Sequence, residues 1–116
     1  DLVRGFGGVP KLTTTETGQL PRSSREEIYQ LIIDDPLFAV SVLPEKSAYG
    51  ANDRGRATKG AARALLAKVY LIRRSTAQND FASAATYALE VINSIEYDLE
   101  PDFDNAHAVT GEHGIE

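Results

Sequence analysis

Gly55-Arg56-Ala57-Thr58-Lys59-Gly60-Ala61-Ala62-Arg63-Ala64-Leu65-Leu66-Ala67-Lys68-Val69-Tyr70-Leu71 reads as the start and body of one amphipathic helix. Thr58 stands where an N-cap belongs, because its hydroxyl can accept from the unpaired N–H groups that open a helix. Behind it, Ala62, Leu65, Leu66, Val69, Tyr70 and Ile72 recur at helical spacing and predict a buried face. Arg63, Lys68, Arg73 and Arg74 supply charge elsewhere. The basic residues of the last turn suit the negative end of the helix dipole.

Downstream, Asp80 is the predicted N-cap of a further helix. Its apolar stripe comprises Phe81, Ala84, Ala85, Ala88, Leu89 and Ile92, with Ile95 a possible extension. The alanines allow two helix axes to approach closely. The short connection from Ser75 to Asn79 requires the two helices to be antiparallel neighbours. After Asn93 the period ends. Tyr97-Asp98-Leu99-Glu100-Pro101 is extended at best, and Asp102 to Glu116 reads as loop.

Upstream, Ser23-x-x-Glu26 and Ser24-x-x-Glu27 are overlapping capping boxes that announce another helix. Ile28, Leu31, Ile32, Phe38, Ala39, Val42 and Leu43 form its stripe, and Leu43-Pro44 ends it. Asp35 falls on that stripe, where a carboxylate is either partly exposed or paired with an arginine. Pro36 removes one backbone hydrogen bond and crowds the preceding turn, at about 3 kcal/mol in a helix interior. A kink or break is therefore expected near residue 36. Residues 44–56 form a polar loop, and residues 1–22 read as irregular, with Gly5-Phe6-Gly7-Gly8 a flexible or tight turn.

The central hairpin matches part of a tetratricopeptide unit. Leu66-Ala67-x-x-Tyr70 fits the first helix of such a unit, and Phe81-x-x-Ala84 fits the start of the second. The turn is longer than usual, Val91 stands where a small residue is typical, and no second copy follows at a period of about 34 residues. The expected fold is all-α: a tetratricopeptide-like helix hairpin plus an additional N-terminal helix and long loops. Residues 1–116 form one partial domain, with helices at about 24–43 (broken near 36), 58–74 and 80–94.

Composition excludes several function classes. The 116 residues are 42% hydrophobic and 25% charged, ordinary globular usage. A net charge of −5 with scattered basic residues argues against nucleic acid as a partner. No apolar run reaches the roughly 18–20 residues of a membrane-spanning helix. With no cysteine there is no disulfide, thiolate metal site or cysteine nucleophile.

The chemistry-bearing patterns are sparse. Glu100, Asp102 and Asp104 alternate like a calcium loop, but Asn105 and Gly111 stand where that loop needs Gly and Glu. His107 and His113 are too far apart in register to share a helical face, so no metal site is expected. No nucleophile elbow is present. The sequence leaves a carboxylate pair for glycoside hydrolysis open but positions none, so an enzyme domain ranks as the lowest alternative and catalytic residues and cofactors are assigned as none. Tyr49, beside Asn52, Asp53 and Arg54, is the best sugar-contact cluster on chemical grounds. A ring with amide and carboxylate neighbours suits a polyol; the alternative is a loop whose Tyr49 packs back on the protein.

Several stretches together resemble the SusD/RagB family. Phe6-Gly7-Gly8-Val9-Pro10 is similar to its aromatic-Gly-x-Val-Pro stretch, and Arg22 to Tyr29 to a family helix start. Ile32-Ile33-Asp34-Asp35, Leu37-Phe38-Ala39 and Leu43-Pro44 resemble the next segment. Gly55 to Leu71 is the strongest match, followed by Ala84-Ala85, Val91-Ile92-Asn93-Ser94 and Tyr97-Asp98-Leu99. The resemblance implies a non-catalytic glycan-binding lipoprotein of the outer membrane, surface-exposed through a lipid anchor outside these residues. It implies an oligosaccharide or polysaccharide ligand and a SusC-like TonB-dependent transporter as partner. It carries over no sugar-contact residue. The chain opens at Asp1 and stops near the family's Glu-x-Ile stretch, so it is read as an internal piece. Pro36 stands where the family usually has Leu, and Ile95 where it often has Gly, a residue that takes positive φ readily. The alternative reading is a free-standing tetratricopeptide-like module that binds a protein segment.

Overall fold

The computed structural model describes residues 2–15, 18–53, 55–99, 101 and 104. The chain divides into two compact units, residues 1–35 and 36–116. The described residues contain α-helices and short 3-10 turns and no strand. None of these helices is long and apolar enough to cross a membrane.

In the first unit, a short helix α1 spans Leu2–Phe6, where irregular structure was expected. Gly7 explains it. The backbone there turns left-handed (φ 73°) and its N–H donates to the Val3 carbonyl at 3.0 Å, closing the helix end. Gly8 is required for a different reason. A Cβ at that position would overlap the backbone carbonyl of Ser23, and the Ser23 N–H donates to Val9 O at 3.1 Å.

Helix α2 spans Arg25–Val42. Of the two overlapping capping boxes, the second forms. The Glu27 N–H donates to Ser24 Oγ at 3.2 Å, and the Ser24 N–H donates to the Glu27 carboxylate at 3.3 Å. Ile28, Tyr29 and Ile33 are buried, and the Arg25 guanidinium lies over the Tyr29 ring. Asp35 is exposed. The helix runs through Pro36 rather than breaking there. Proline removes one N–H from the ladder, but the segments on both sides keep theirs. The chain's division into units falls at this residue.

In the second unit, Phe38 and Val42 stand largely in solvent, contrary to the predicted stripe. Helices α3 (Lys59–Arg73) and α4 (Asp80–Asn93) pack on each other. Arg73 pairs with Asp80, Tyr70 stacks on Tyr87, and Arg63 pairs with Glu90. Numbers fall along one helix as they rise along the other, so the hairpin is antiparallel. Thr58 caps α3 as its sequence position predicts, accepting from the Ala61 N–H at 3.2 Å. Leu66, Ala62, Val69 and Ala84 supply the buried apolar contact, and Leu66 is 0% exposed.

Asp80 is not the cap of α4. That position belongs to Asn79, in the left-handed conformation that Asn tolerates. Asp80 is instead wholly buried and accepts two hydrogen bonds from Arg73, at 2.8 Å from Nε and 2.5 Å from Nη2. It accepts a third from the Ser75 N–H at 2.7 Å. The Arg73 hydrogen bond holds the Asp80 carboxyl below its ordinary pKa against the opposing effect of burial, with help from Ser75 and the Arg73 charge.

Much of the predicted α4 stripe is open. Phe81, Leu89 and Ile92 are exposed, as are Ala85, Ala88 and, on α3, Leu65. Past α4, Ile95 adopts φ 59° with its side chain 91% exposed. A β-branched residue is strained in that region.

Asp80→Ala leaves the largely covered Arg73 without its partner and the Ser75 N–H without its acceptor, and should destabilise the protein by about 3 kcal/mol in a urea titration. The pair's contribution should persist above the ordinary carboxyl pKa of 3.8. It should fall away as pH drops through the lower folded value, because the unfolded chain takes up the proton first. The difference in midpoint between wild type and Asp80→Asn should therefore shrink in acid. Ile95→Gly removes left-handed strain and should raise stability by about 1 kcal/mol, read as a higher thermal midpoint.

Candidate functional site

The loop between α2 and α3 carries the sequence-predicted site residues. It consists of two 3-10 turns, at Lys46–Ala48 and Ala51–Asp53. The Ala48, Tyr49, Asp53 and Arg56 N–H groups each donate to a carbonyl three residues back. Its two ends are joined, since the Lys59 N–H donates to Pro44 O at 2.9 Å.

Tyr49 is half-buried and its hydroxyl donates to Ala57 O at 2.9 Å. The ring thus braces the loop, and its hydroxyl has a protein partner. Asn52 is exposed on the second 3-10 turn. Asp53 forms an ion pair with Arg56 at 3.0 Å, with both side chains substantially in solvent. Such a pair adds little to stability and keeps both groups accessible. Arg54 lies outside the described residues. Of the predicted residues, Asn52 and Asp53 share the second 3-10 turn, Tyr49 is turned to Ala57, and Asp53 gains Arg56 as a partner, which geometry alone reveals. An amide, a carboxylate and a guanidinium can bond the vicinal hydroxyls of a polyol.

The base of the loop is held by side chains from both sides of the hairpin. Arg63 on α3 donates to Glu45 at 3.0 Å and pairs with Glu90 of α4 at 3.2 Å. Glu96 accepts from the Ser47 N–H at 2.7 Å and from its hydroxyl at 2.8 Å. Tyr97 shares a 2.7 Å hydrogen bond with Thr58, and Lys46 lies over its ring at 5.1 Å. These partners are 49 and 39 residues apart in sequence, so local spacing could not single them out. One signal was available: Gly60 in the first turn of α3 marks a close approach, and it faces Tyr97.

Among the described residues, no group of acidic or histidine side chains could hold a metal ion. Of the acidic alternation, Asp104 is described and already has an interaction, while Glu100 and Asp102 lie outside the described residues. His107 and His113 lie outside them as well.

With this geometry in hand, similarity to known proteins is informative. A curated SusD-like protein from Bacteroides ovatus is 35% identical over 91 residues, which is 73% of this chain and 16% of the relative. The fold matches a SusD-like carbohydrate-binding protein from Bacteroides fragilis with a TM-score of 0.76 at 24% identity. That match covers 90% of this chain and 20% of the other. Surface glycan-binding protein A from Bacteroides uniformis matches with a TM-score of 0.77 at 26% identity, over 96% of this chain and 25% of its own. A second SusD-like protein from Bacteroides fragilis matches at 0.65 with 34% identity, over 84% of this chain and 18% of its own. This chain thus spans a quarter or less of the relatives it matches. The family described as "starch-binding associating with outer membrane" matches residues 1–71. On that match, over most of its length, the chain belongs to the SusD-like family.

Proposed function

We propose that these residues are a helical portion of a non-catalytic glycan-binding protein that serves nutrient uptake at the outer membrane. The observation that carries this reading is the family match over residues 1–71. The ligand is an oligosaccharide or polysaccharide, and the bound glycan passes to a SusC-like TonB-dependent transporter. The protein is held at the cell surface by a lipid anchor outside these residues.

Within that protein, the tetratricopeptide-like hairpin is scaffold. The open stripes on α3 and α4 support this role, because side chains such as Phe81, Leu89 and Ile92 gain from burial against further polypeptide. The loop with Tyr49, Asn52, Asp53 and Arg54 is the candidate sugar contact, with Arg56 added by its pairing with Asp53. Exposed Asn52 and the solvent-facing Asp53–Arg56 pair offer the polar groups, and Tyr49 holds the loop in shape.

Affinity gel electrophoresis tests the reading, with starch first and a panel of other polysaccharides after it. Retardation by one glycan is expected. Asn52→Ala and Asp53→Ala should each weaken it by roughly fivefold, the loss of about one net hydrogen bond. Retardation unchanged by both variants would remove the loop from the site. Release of soluble sugar during incubation would overturn the non-catalytic assignment.

A further inference from the structure

Ile95, Glu96 and Tyr97 follow α4 directly, and all three bear on the loop before α3. Ser94 ends the helix in right-handed geometry (φ −68°, ψ −19°), and its hydroxyl donates to Val91 O at 2.7 Å. Ile95 then reverses the backbone to φ 59°. Its side chain is almost wholly exposed, so no burial of its own explains the conformation. What the reversal accomplishes lies in the next two residues. Glu96 takes both the N–H and the hydroxyl of Ser47, and Tyr97 reaches the Thr58 hydroxyl that also caps α3. The Tyr97 ring occupies the space a Cβ on Gly60 would need, with its hydroxyl oxygen 2.6 Å from that point. The Lys46 ammonium lies over the same ring.

We propose that Ile95–Tyr97 is a strained clasp that fixes the conformation of the loop between α2 and α3. Ile95 is its hinge, Glu96 holds the first 3-10 turn, and Tyr97 holds the start of α3. The clasp acts on the loop whether or not the loop touches a glycan. Glu96 accepts two charge-assisted hydrogen bonds from one residue, Ser47, and each is stronger than a neutral one. Thr58 is shared between capping α3 and receiving Tyr97, so the helix start and the loop are held by one group.

Hydrogen exchange on the 116-residue chain tests this without any ligand. In Glu96→Ala, the amides of Ala48, Tyr49 and Asp53 should exchange on the order of tenfold faster, while those near Leu66 and Ala84 keep their rates. Glu96→Gln retains an acceptor oxygen and should fall between wild type and Glu96→Ala. Unchanged loop exchange in Glu96→Ala, or a rise spread evenly through α3 and α4, would overturn the clasp. Gly60→Ala should push Tyr97 away and speed the same loop amides. Combined with Tyr97→Ala, that substitution should do no further harm, a coupling expected only of groups in contact. Additive effects would remove Tyr97 from the device. Ile95→Gly should slow loop exchange by favouring the closed backbone, and a faster rate would show that Ile95 is not a strained hinge.

Discussion

The hairpin depends on the ion pair between Arg73 and Asp80. Burying a carboxylate is unfavourable by several kcal/mol unless its lone pairs are occupied. Here three donors occupy them, two from Arg73 and one from the Ser75 backbone. The last turn of α3, the connection and the first turn of α4 are thereby locked in one arrangement. The Asp80 N–H adds a bond to Ser75 O at 3.1 Å. With that end fixed, Tyr70 meets Tyr87 in parallel stacking at 5.9 Å, and Arg63 comes within reach of Glu90. The register follows from a single buried carboxylate more than from the modest apolar contact around Leu66 and Ala84.

Local signals in the sequence were dependable where one short-range interaction decides the outcome. Ser24 and Glu27 form their box, and Thr58 caps α3, because each bond closes within three residues. The all-α class and the helical hairpin were legible for the same reason. Asp80 shows where such reading stops. It is a good capping residue beside a helix start, yet a guanidinium across the connection competes for it and wins with two bonds instead of one. Left-handed backbone escaped too: Asn79 and Arg74 adopt it at the two ends of the connection. The helical period marks which residues share a face but not whether anything covers that face. Hence Phe38, Leu89 and Ile92 sit on genuine stripes and still meet solvent.

The loop that carries the candidate residues was legible in the sequence, but the partners of those residues were not. Tyr49, Asn52 and Asp53 are near one another because they are near in sequence. The hydroxyl of Tyr49 is committed to Ala57, which turns an apparent contact ring into a brace. Arg56 enters through a turn that places it against Asp53. The residues that hold the loop at its base come from beyond α4, and only folding brings them there. Resemblance supplied the family, and the geometry supplied the bonds that hold the loop.

The bond from Lys59 to Pro44 brings the loop's two ends together before α3 begins. A loop that leaves and returns at one place is nearly independent of its own length. Doubling such a segment adds only about 0.6 kcal/mol of closure entropy. Residues can therefore be added at the exposed second turn at little cost to the helices on either side, so long as Ser47 keeps its bonds to Glu96 and Tyr49 its bond to Ala57.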